Sequence, residues 1–326
     1  MPLRRQLLTL LSDGDYHSGE ALGDVLGVSR MAVWKHLKAL RAAGVRINVQ
    51  RGKGYSLPAP LELLQRDAIL AAITPGVRVA INDVHVYLDI DSTNNWLRSR
   101  ALAGAPSGTV CVAEQQSAGR GRRGRDWVSP FAASLYLSLL WRSNGGAAAL
   151  GGLSLVSGIA TLRALQALGV EGLGLKWPND VLAGQDKLAG ILIDVVGEAG
   201  GPCAVIIGLG ININMPAAAA AAIDQPWTDL DRLTGDTAPS RNLLAGRLLS
   251  ELMPALKKFD QAALQPFMDD WQQYDLVDGQ RIELSLPNES IRGTACGIDD
   301  GGALLVDTGE GRRRFASGEV SVRLAS

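Results

Sequence analysis

Apolar residues near the start of the chain recur every three to four positions. Leu3, Leu7, Leu10 and Leu11 share one face of a helix over Leu3–Leu11. Ser18 can cap a second helix that runs through Leu26, with Glu20 and Ala21 in its first turn. Gly27 supplies a tight turn. Ser29 caps a third helix from Arg30 to Ala43, which ends at Gly44. Val33, Leu37 and Leu40 share one face of that helix, and Arg30, Trp34, Lys38 and Arg41 share another. Two short strand-like runs follow, Val45 to Val49 and Gly54 to Leu57, around Gln50-Arg51-Gly52-Lys53. The pattern predicts a winged helix-turn-helix whose third helix presents a basic face to a DNA groove. An ordinary three-helix module with solvated charges has the same apolar pattern, so the basic face carries the DNA reading.

Pro58-Ala59-Pro60 reads as a linker, and Leu61 to Ile73 as a helix leading into a second segment. There Val84 to Ile90, Thr109 to Ala113, Ser134 to Trp141, Ile191 to Val196 and Ala204 to Asn214 read as strands. Gly152 to Leu168 and Arg241 to Phe259 read as helices that cover the sheet. Strands follow strands with few helices between them, which predicts an α+β fold. The run Ala217 to Ala222 reads as a surface loop or short helix. From about Asp275 onward, Gly279 to Leu286, Ser290 to Ile298, Ala303 to Asp307 and Arg312 to Ser317 are short alternating runs divided by Gly, Asp and Pro-Asn, as in a small β-barrel. The expected domains are residues 1–60, 61–271 and 272–326.

Composition sharpens this division. The 326 residues carry a net charge of −1, with 47% hydrophobic and 20% charged residues, so a sizeable core forms and wholesale disorder is excluded. The average hides an asymmetry. Up to Pro58, nine basic residues stand against four acidic ones, leaving +5 on the first segment and an acidic remainder. Cys111, Cys203 and Cys296 are scattered, as are His17, His36 and His85, so neither a disulfide framework nor a metal cluster is expected. No apolar stretch is long enough to span a bilayer and no signal-peptide pattern is visible, so the expected location is cytoplasmic.

Gly119-Arg120-Gly121-Arg122-Arg123-Gly124-Arg125 is the stretch richest in chemistry. Glycine lets backbone approach a ligand closely, and arginine offers paired donors to phosphate or carboxylate. Alone, such a loop fits a flexible RNA-binding segment equally well. Its flanks decide against that. Ala113-Glu114-Gln115-Gln116 precedes it and Asp126-Trp127-Val128-Ser129-Pro130 follows, so it is embedded between apolar strands. Asp91-Ser92-Thr93-Asn94 lies earlier. Lys176-Trp177-Pro178-Asn179-Asp180, Lys187-Leu188-Ala189-Gly190-Ile191-Leu192 and Gly208-Leu209-Gly210-Ile211-Asn212 lie later. The pair Gly208 and Gly210 could open a dinucleotide fingerprint, but the third glycine and the following helix are missing.

In that order these motifs, which cover most of Asp89 to Asn214, resemble the biotin–protein ligase family. Phe315-Ala316-Ser317-Gly318-Glu319-Val320 resembles the family's C-terminal domain. The helix-turn-helix with Gly52-Lys53-Gly54-Tyr55-Ser56-Leu57 is similar to its bifunctional subgroup, the biotin operon repressors. The resemblance implies a central mixed sheet like that of class II aminoacyl-tRNA synthetases and a C-terminal SH3-like barrel. It implies a two-step reaction. The carboxylate of biotin attacks the α-phosphate of ATP, giving biotinyl-AMP and pyrophosphate. A lysine of a biotin carboxyl carrier protein then takes the biotinyl group. It also implies repression at operator DNA with biotinyl-AMP as corepressor, and a homodimer when the adenylate is bound.

Carried onto this chain, the resemblance assigns Ser92, Thr93, Asn94 and Gln116 to the ureido ring, with Gln115 as the alternative register. Ser92 can equally be a helix N-cap. Arg120 and Arg122 are expected on the phosphate and carboxylate as charge gathers. Arg123 and Arg125 are expected to be solvated or to order the loop. Lys187 is expected on the same anions, and the catalytic set is Arg120, Arg122 and Lys187. Trp127 walls the site or packs in the core. Gly119, Gly121, Gly190, Gly208 and Gly210 allow close approach. Asn179 and Asp180 are the weaker candidates for nucleotide and the magnesium that accompanies ATP. The DNA-contacting set is Ser29, Arg30, Trp34, Lys35, Lys38, Arg41, Arg51 and Lys53. Three other readings remain open at this point: a ligase whose N-terminal domain no longer represses, a regulator without catalysis, and a ligase for lipoate.

Overall fold

The computed structural model describes residues 3–197, 201–235, 237–286, 289–317 and 321–324. Helices α1 (Leu3–Leu11), α2 (Gly19–Leu26) and α3 (Arg30–Ala42) precede the antiparallel strands β1 (Asn48–Gln50) and β2 (Gly54–Ser56). The two serine caps form as expected. Ser18 Oγ accepts from the Ala21 N–H at 3.0 Å and Ser29 Oγ from the Ala32 N–H at 3.2 Å. Each satisfies a donor that a helix start leaves open. Gly27 ends α2 in the left-handed region at φ 67°, which a residue without Cβ adopts at little cost. Leu7, Leu11, Leu22, Val33, Leu37 and Leu40 form a small core between the three helices.

The segment after Pro60 departs from the predicted helix. Helix α4 spans Arg66–Ala72, and residues 61–65 are extended. The reason is local. Leu63 packs in the winged-helix core while Leu64 packs in the core of the next domain. Side chains that point to opposite sides require an extended backbone. Its amides are taken by Glu114 Oε1, 2.6 Å from the Leu64 N, and by Asn242 Oδ1, 2.7 Å from the Gln65 N.

Then come α5 (Pro75–Arg78), β3 (Asp83–Tyr87), α6 (Thr93–Leu102), β4 (Thr109–Ala113), β5 (Ser134–Ser143), α7 (Leu153–Gln166), β6 (Leu173–Lys176), β7 (Asp180–Ala183), β8 (Asp186–Gly197) and β9 (Cys203–Asn212). The seven strands form one sheet in the order β3-β4-β5-β9-β8-β7-β6. Strands β3 and β4 are parallel and the other neighbours antiparallel, the mixed sheet expected. Helix α8 (Ala217–Ala220) is the short helix allowed for the alanine run. After α9 (Leu230–Thr234), α10 (Arg241–Ala262) and α11 (Met268–Tyr274), the chain enters the last sheet. Helices α7 and α10 pack on each other and cover one face of the large sheet, burying Leu155, Val156, Ile159, Leu244, Leu248 and Leu252.

The last sheet comprises β10 (Arg281–Ser285), β11 (Ser290–Ile298), β12 (Leu304–Thr308), β13 (Gly311–Phe315) and β14 (Ser321–Leu324), all antiparallel, in the order β13-β12-β11-β10-β14. Ile282, Leu284, Leu304 and Val306 join the central domain's core. The Trp177 indole N–H donates to the Gly302 carbonyl at 3.0 Å across the junction. Gly318, Glu319 and Val320, part of the C-terminal resemblance, lie outside the described residues.

Candidate active site

A cavity of about 890 Å³ opens on the face of the large sheet away from α7 and α10. Its floor is the pairing of β8 with β9, in which Gly190 stands opposite Gly210 and Leu192 opposite Gly208. These glycines have a steric reason. A Cβ at Gly210 would lie 2.6 Å from Trp127 Cε2, and one at Gly190 would lie 3.0 Å from Trp127 Cζ3, so the indole rests flat on the glycine pair. A Cβ at Gly208 would lie 2.2 Å from Asn94 Oδ1. The Trp127 indole N–H is buried and has no hydrogen-bond partner among the described residues.

One end of the cavity is lined by uncharged hydrogen-bonding side chains from α6. The start of α6 brings Ser92, Thr93 and Asn94 there, all buried. Ser92 caps α6 through the Asn95 N–H, so capping and a place in the cavity coincide. The Thr93 N–H and hydroxyl both donate to Gln116 Oε1, at 2.9 and 3.1 Å, and Gln116 Nε2 donates to Ser129 Oγ at 3.2 Å. Ser138 Oγ lies 2.7 Å from Thr93 Oγ1 and 2.6 Å from Asn94 Oδ1. Gln116 lines the cavity, and Gln115 lies on the other side near Gly44, which separates the two registers. A buried array of this kind holds donors and acceptors in fixed directions at no further ordering cost.

The other end is cationic. Arg122 Nη1 donates to Asn179 Oδ1 at 3.2 Å, and Nη2 reaches the Ser317 carbonyl of the C-terminal domain. Burial pulls the guanidinium of Arg122 below its ordinary pKa. The nearby Asp180 opposes that shift, and Arg123 and Arg125 add to it. Arginine stays charged regardless, so this surrounding favours an incoming anion. Lys187 Nζ lies 2.7 Å from Asp180 Oδ1 and 5.4 Å from the centroid of the Trp127 ring. Asn179 also donates to the Ile191 carbonyl at 2.8 Å, so its amide ties Arg122 to β8.

The arginine-rich segment is folded rather than splayed. The backbones of Arg120 and Asp126 pair as an isolated antiparallel β-bridge, the Gly121 N–H donates to the Arg125 carbonyl at 2.7 Å, and the Trp127 N–H donates to the Gly119 carbonyl at 2.9 Å. A Cβ at Gly119 would lie 2.4 Å from Ser129 Oγ, whereas Gly121 meets nothing closer than 3.4 Å. Arg123 donates to the Ser285 carbonyl at 3.2 Å and orders the loop against β10. Arg120 faces away from Arg122. Its Nη2 lies 2.6 Å from Asp194 Oδ2, an oxygen that also accepts from Asn94 Nδ2 at 3.1 Å.

Asp194, Ser138 and Ser129 escaped the sequence reading. Asp194 had a visible mark, a single carboxylate inside the apolar run from Ile191 to Val196. The two serines had none.

On the winged helix, Ser29, Arg30, Trp34, Lys35, Lys38 and Arg41 are all exposed, as are Arg51 and Lys53 between β1 and β2. Lys38 Nζ lies 5.3 Å from the Trp34 ring centroid and Lys53 Nζ lies 5.7 Å from that of Tyr16. Cations resting on rings are partly ordered before any ligand arrives.

Residues 87–212 match the biotin/lipoate A/B protein ligase family, residues 3–56 an HTH domain, and residues 279–323 the biotin protein ligase C-terminal domain. The chain is 43% identical to the bifunctional ligase/repressor BirA of Salmonella typhimurium, over 98% of this chain and 97% of that protein. The chain belongs to the biotin–protein ligase family. Within it, the chain is 42% identical to the bifunctional ligase/repressor BirA of Escherichia coli, over 100% of this chain and 98% of that one. Among solved structures the ligase is similar to the biotin protein ligase of Aquifex aeolicus in complex with biotin and ATP. The TM-score is 0.64 and the identity 29%, over 75% of this chain and 100% of that chain. Both relatives are named as bifunctional ligase/repressors, and the alignments take in the first segment of this chain. Among the described residues no helix is long and apolar enough to cross a membrane.

Proposed function

We propose that this biotin–protein ligase binds biotin and ATP in the one cavity, with the ureido ring at the Thr93, Asn94 and Gln116 end and the carboxylate and α-phosphate at the Arg122 and Lys187 end. The observation that carries the reading is the polarity of the cavity. A hydrogen-bonding end, where Arg120 is neutralised by Asp194, and a cationic end are separated by the Trp127 ring on its glycine floor. Biotin has the matching order: a polar ring, an apolar body and an anionic tail. The buried, unpartnered indole N–H of Trp127 supports a ligand acceptor beside it. Lipoate has no ureido group to meet the Thr93 and Gln116 array, which favours biotin.

In the first step a carboxylate oxygen of biotin attacks the α-phosphorus and the bond to the β-phosphate oxygen breaks, releasing pyrophosphate. Arg122 and Lys187 face the charge that gathers there. In the second step the carrier's lysine nitrogen attacks the activated carbonyl and AMP leaves. Among the described residues no three His, Cys, Asp or Glu side chains group to hold a metal. Asp180 is held by Lys187. That donor set fits a magnesium ion that arrives on the triphosphate and keeps its waters. The ion would screen the triphosphate, and Asp180, with Asn179 beside it, would meet it.

The winged helix serves as the operator-binding part of a repressor of biotin synthesis, with biotinyl-5′-AMP as corepressor and a homodimer as the operator-bound form. Two copies then place two α3 helices about one helical turn or a multiple apart. Sedimentation with a non-hydrolysable biotinyl-AMP analogue tests the dimer, and equal association with and without it removes that part. For the enzyme the test is incubation with ATP, magnesium, labelled biotin and a biotin carboxyl carrier domain, beside the same mixture with lipoate. Pyrophosphate release and label transfer are expected with biotin. Pyrophosphate release with lipoate alone overturns the substrate assignment.

A further inference from the structure

We propose that Asp194 is a positioning residue that fixes the biotin-facing amide of Asn94, and that Arg120 acts at this ureido end as its counter-ion rather than on the phosphate. The inference rests on the proposed orientation of biotin in the cavity.

The Asn94 amide is held on two sides. Its Oδ1 lies 2.6 Å from Ser138 Oγ and its Nδ2 lies 3.1 Å from Asp194 Oδ2. Turning the amide over would set a carbonyl oxygen against a carboxylate oxygen. The charge on Asp194 therefore selects one orientation, and with it the direction in which the remaining N–H of Asn94 points. Gly208 holds the other side, since a Cβ there would strike Asn94 Oδ1. Asp194 makes no part of the cavity wall, so it acts through Asn94.

Arg120 completes the arrangement. Its Nη2 reaches the same Asp194 oxygen at 2.6 Å, with the Asp194 side chain 15% exposed. The guanidinium gives a carboxylate so far removed from water the opposite charge that burial calls for. The geometry also sets Arg120 apart from the other ligand cations. Lys187 is paired with Asp180, and both line the cavity, whereas Arg120 lines the cavity but its partner Asp194 does not. Arg120 is drawn toward Asp194, on the part of β8 beyond the residues 186–190 that pair with β7. The first arginine of the loop thereby fastens the loop over the ureido end, leaving Arg122 for the anion.

The test is a double-mutant cycle on the full chain with Asp194→Asn, Arg120→Ala and both together, beside Arg122→Ala. Two readouts are used: biotin affinity by calorimetry without ATP, and steady-state pyrophosphate release. Asp194→Asn and Arg120→Ala are each expected to raise the Kd and KM for biotin roughly tenfold or more, the size of one charge-assisted hydrogen bond. Both should leave kcat and the KM for ATP nearly unchanged. The double variant should be no worse than the worse single, because both act through one contact. Asp194→Glu should restore part of the loss. Arg120 lies on a surface loop, so its variant reports even if Asp194→Asn folds poorly. Unchanged biotin affinity in Arg120→Ala, or a fall in kcat with unchanged biotin KM, overturns the inference. The Arg122→Ala arm reports separately on the orientation. If it alters biotin affinity alone and leaves adenylation intact, the proposed orientation fails whatever the Asp194 arms show.

Discussion

Replacing Gly210 by Ala tests the floor of the cavity with a single methyl group. The new Cβ would lie 2.6 Å from Trp127 Cε2 and 2.7 Å from both Cζ2 and Nε1. Ordinary carbon contacts lie near 3.5–4.0 Å, so the ring must retreat by about 1 Å. It cannot slide along the floor, because Gly190 already supports its far edge. It must lift into the space proposed for ligand. Overpacking of this kind costs about 1–3 kcal/mol. Drawn from ligand binding, that amounts to a loss of about five- to 150-fold in biotin affinity. Calorimetric titration of biotin measures it, with a thermal melt to show that the fold is kept. Gly76→Ala serves as control, since nothing lies within 4 Å of a Cβ there. Biotin binding by Gly210→Ala at the strength of the control would show that the indole does not border the ligand.

Lys187→Met should slow adenylation by the worth of a charge-assisted contact, about 1.5–3 kcal/mol, and an unchanged single-turnover rate would leave Lys187 only as the partner of Asp180. Glu114→Gln breaks an ion pair to Arg241, 2.7 Å long, in which the side chains are 0% and 5% exposed. The loss should be about 3–5 kcal/mol in a denaturant titration, and a midpoint equal to that of the parent would refute it. Arg30→Ala and Lys38→Ala, on the exposed face of α3, should each lower the slope of log affinity against log salt for operator DNA by about one. A slope unchanged in both variants would place the DNA contact elsewhere.

Where local chemistry dictated structure, the sequence was readable. Ser18, Gly27 and Ser29 mark helix ends by side-chain hydrogen bonds and backbone conformation, and the winged helix lies where they put it. The long strands β5 and β9 were visible because both bury nearly every residue. Helix α6 was not assigned beyond its cap, for a physical reason. It buries Thr93 and Asn94 alongside Leu97 and Ala101, so polar residues occupy inward positions that a hydrophobic pattern counts as surface. Strands β6 and β7 have only four residues each, too few for a period to emerge. The cavity residues carried by motifs were legible. Asp194 was passed over because a lone carboxylate near the end of an apolar strand gives no spacing to read, and its partners come from α6 and the arginine loop. The Glu114–Arg241 pair joins residues remote in sequence, and neither has a local mark.

The Pro58-Ala59-Pro60 segment suggests two bodies on a loose tether, and the contacts argue otherwise. Leu63 is buried in one core and Leu64 in the other, which leaves no slack between them. Arg5 of α1 donates to the Leu64 carbonyl, and Leu88 and Phe131 of the central domain pack against the winged-helix core. The strand end from Glu114 to Gln116 meets this junction and the cavity at once. Glu114 holds the Leu64 amide and Arg241, Gln115 lies beside Gly44 just past the end of α3, and Gln116 lines the cavity. Three consecutive residues therefore touch the extended segment after Pro60, the winged helix and the cavity. Shifting that segment at one end disturbs contacts at the other, including a buried ion pair that is costly to break. The winged helix is thus seated on the central domain through a packed joint rather than held on a flexible leash.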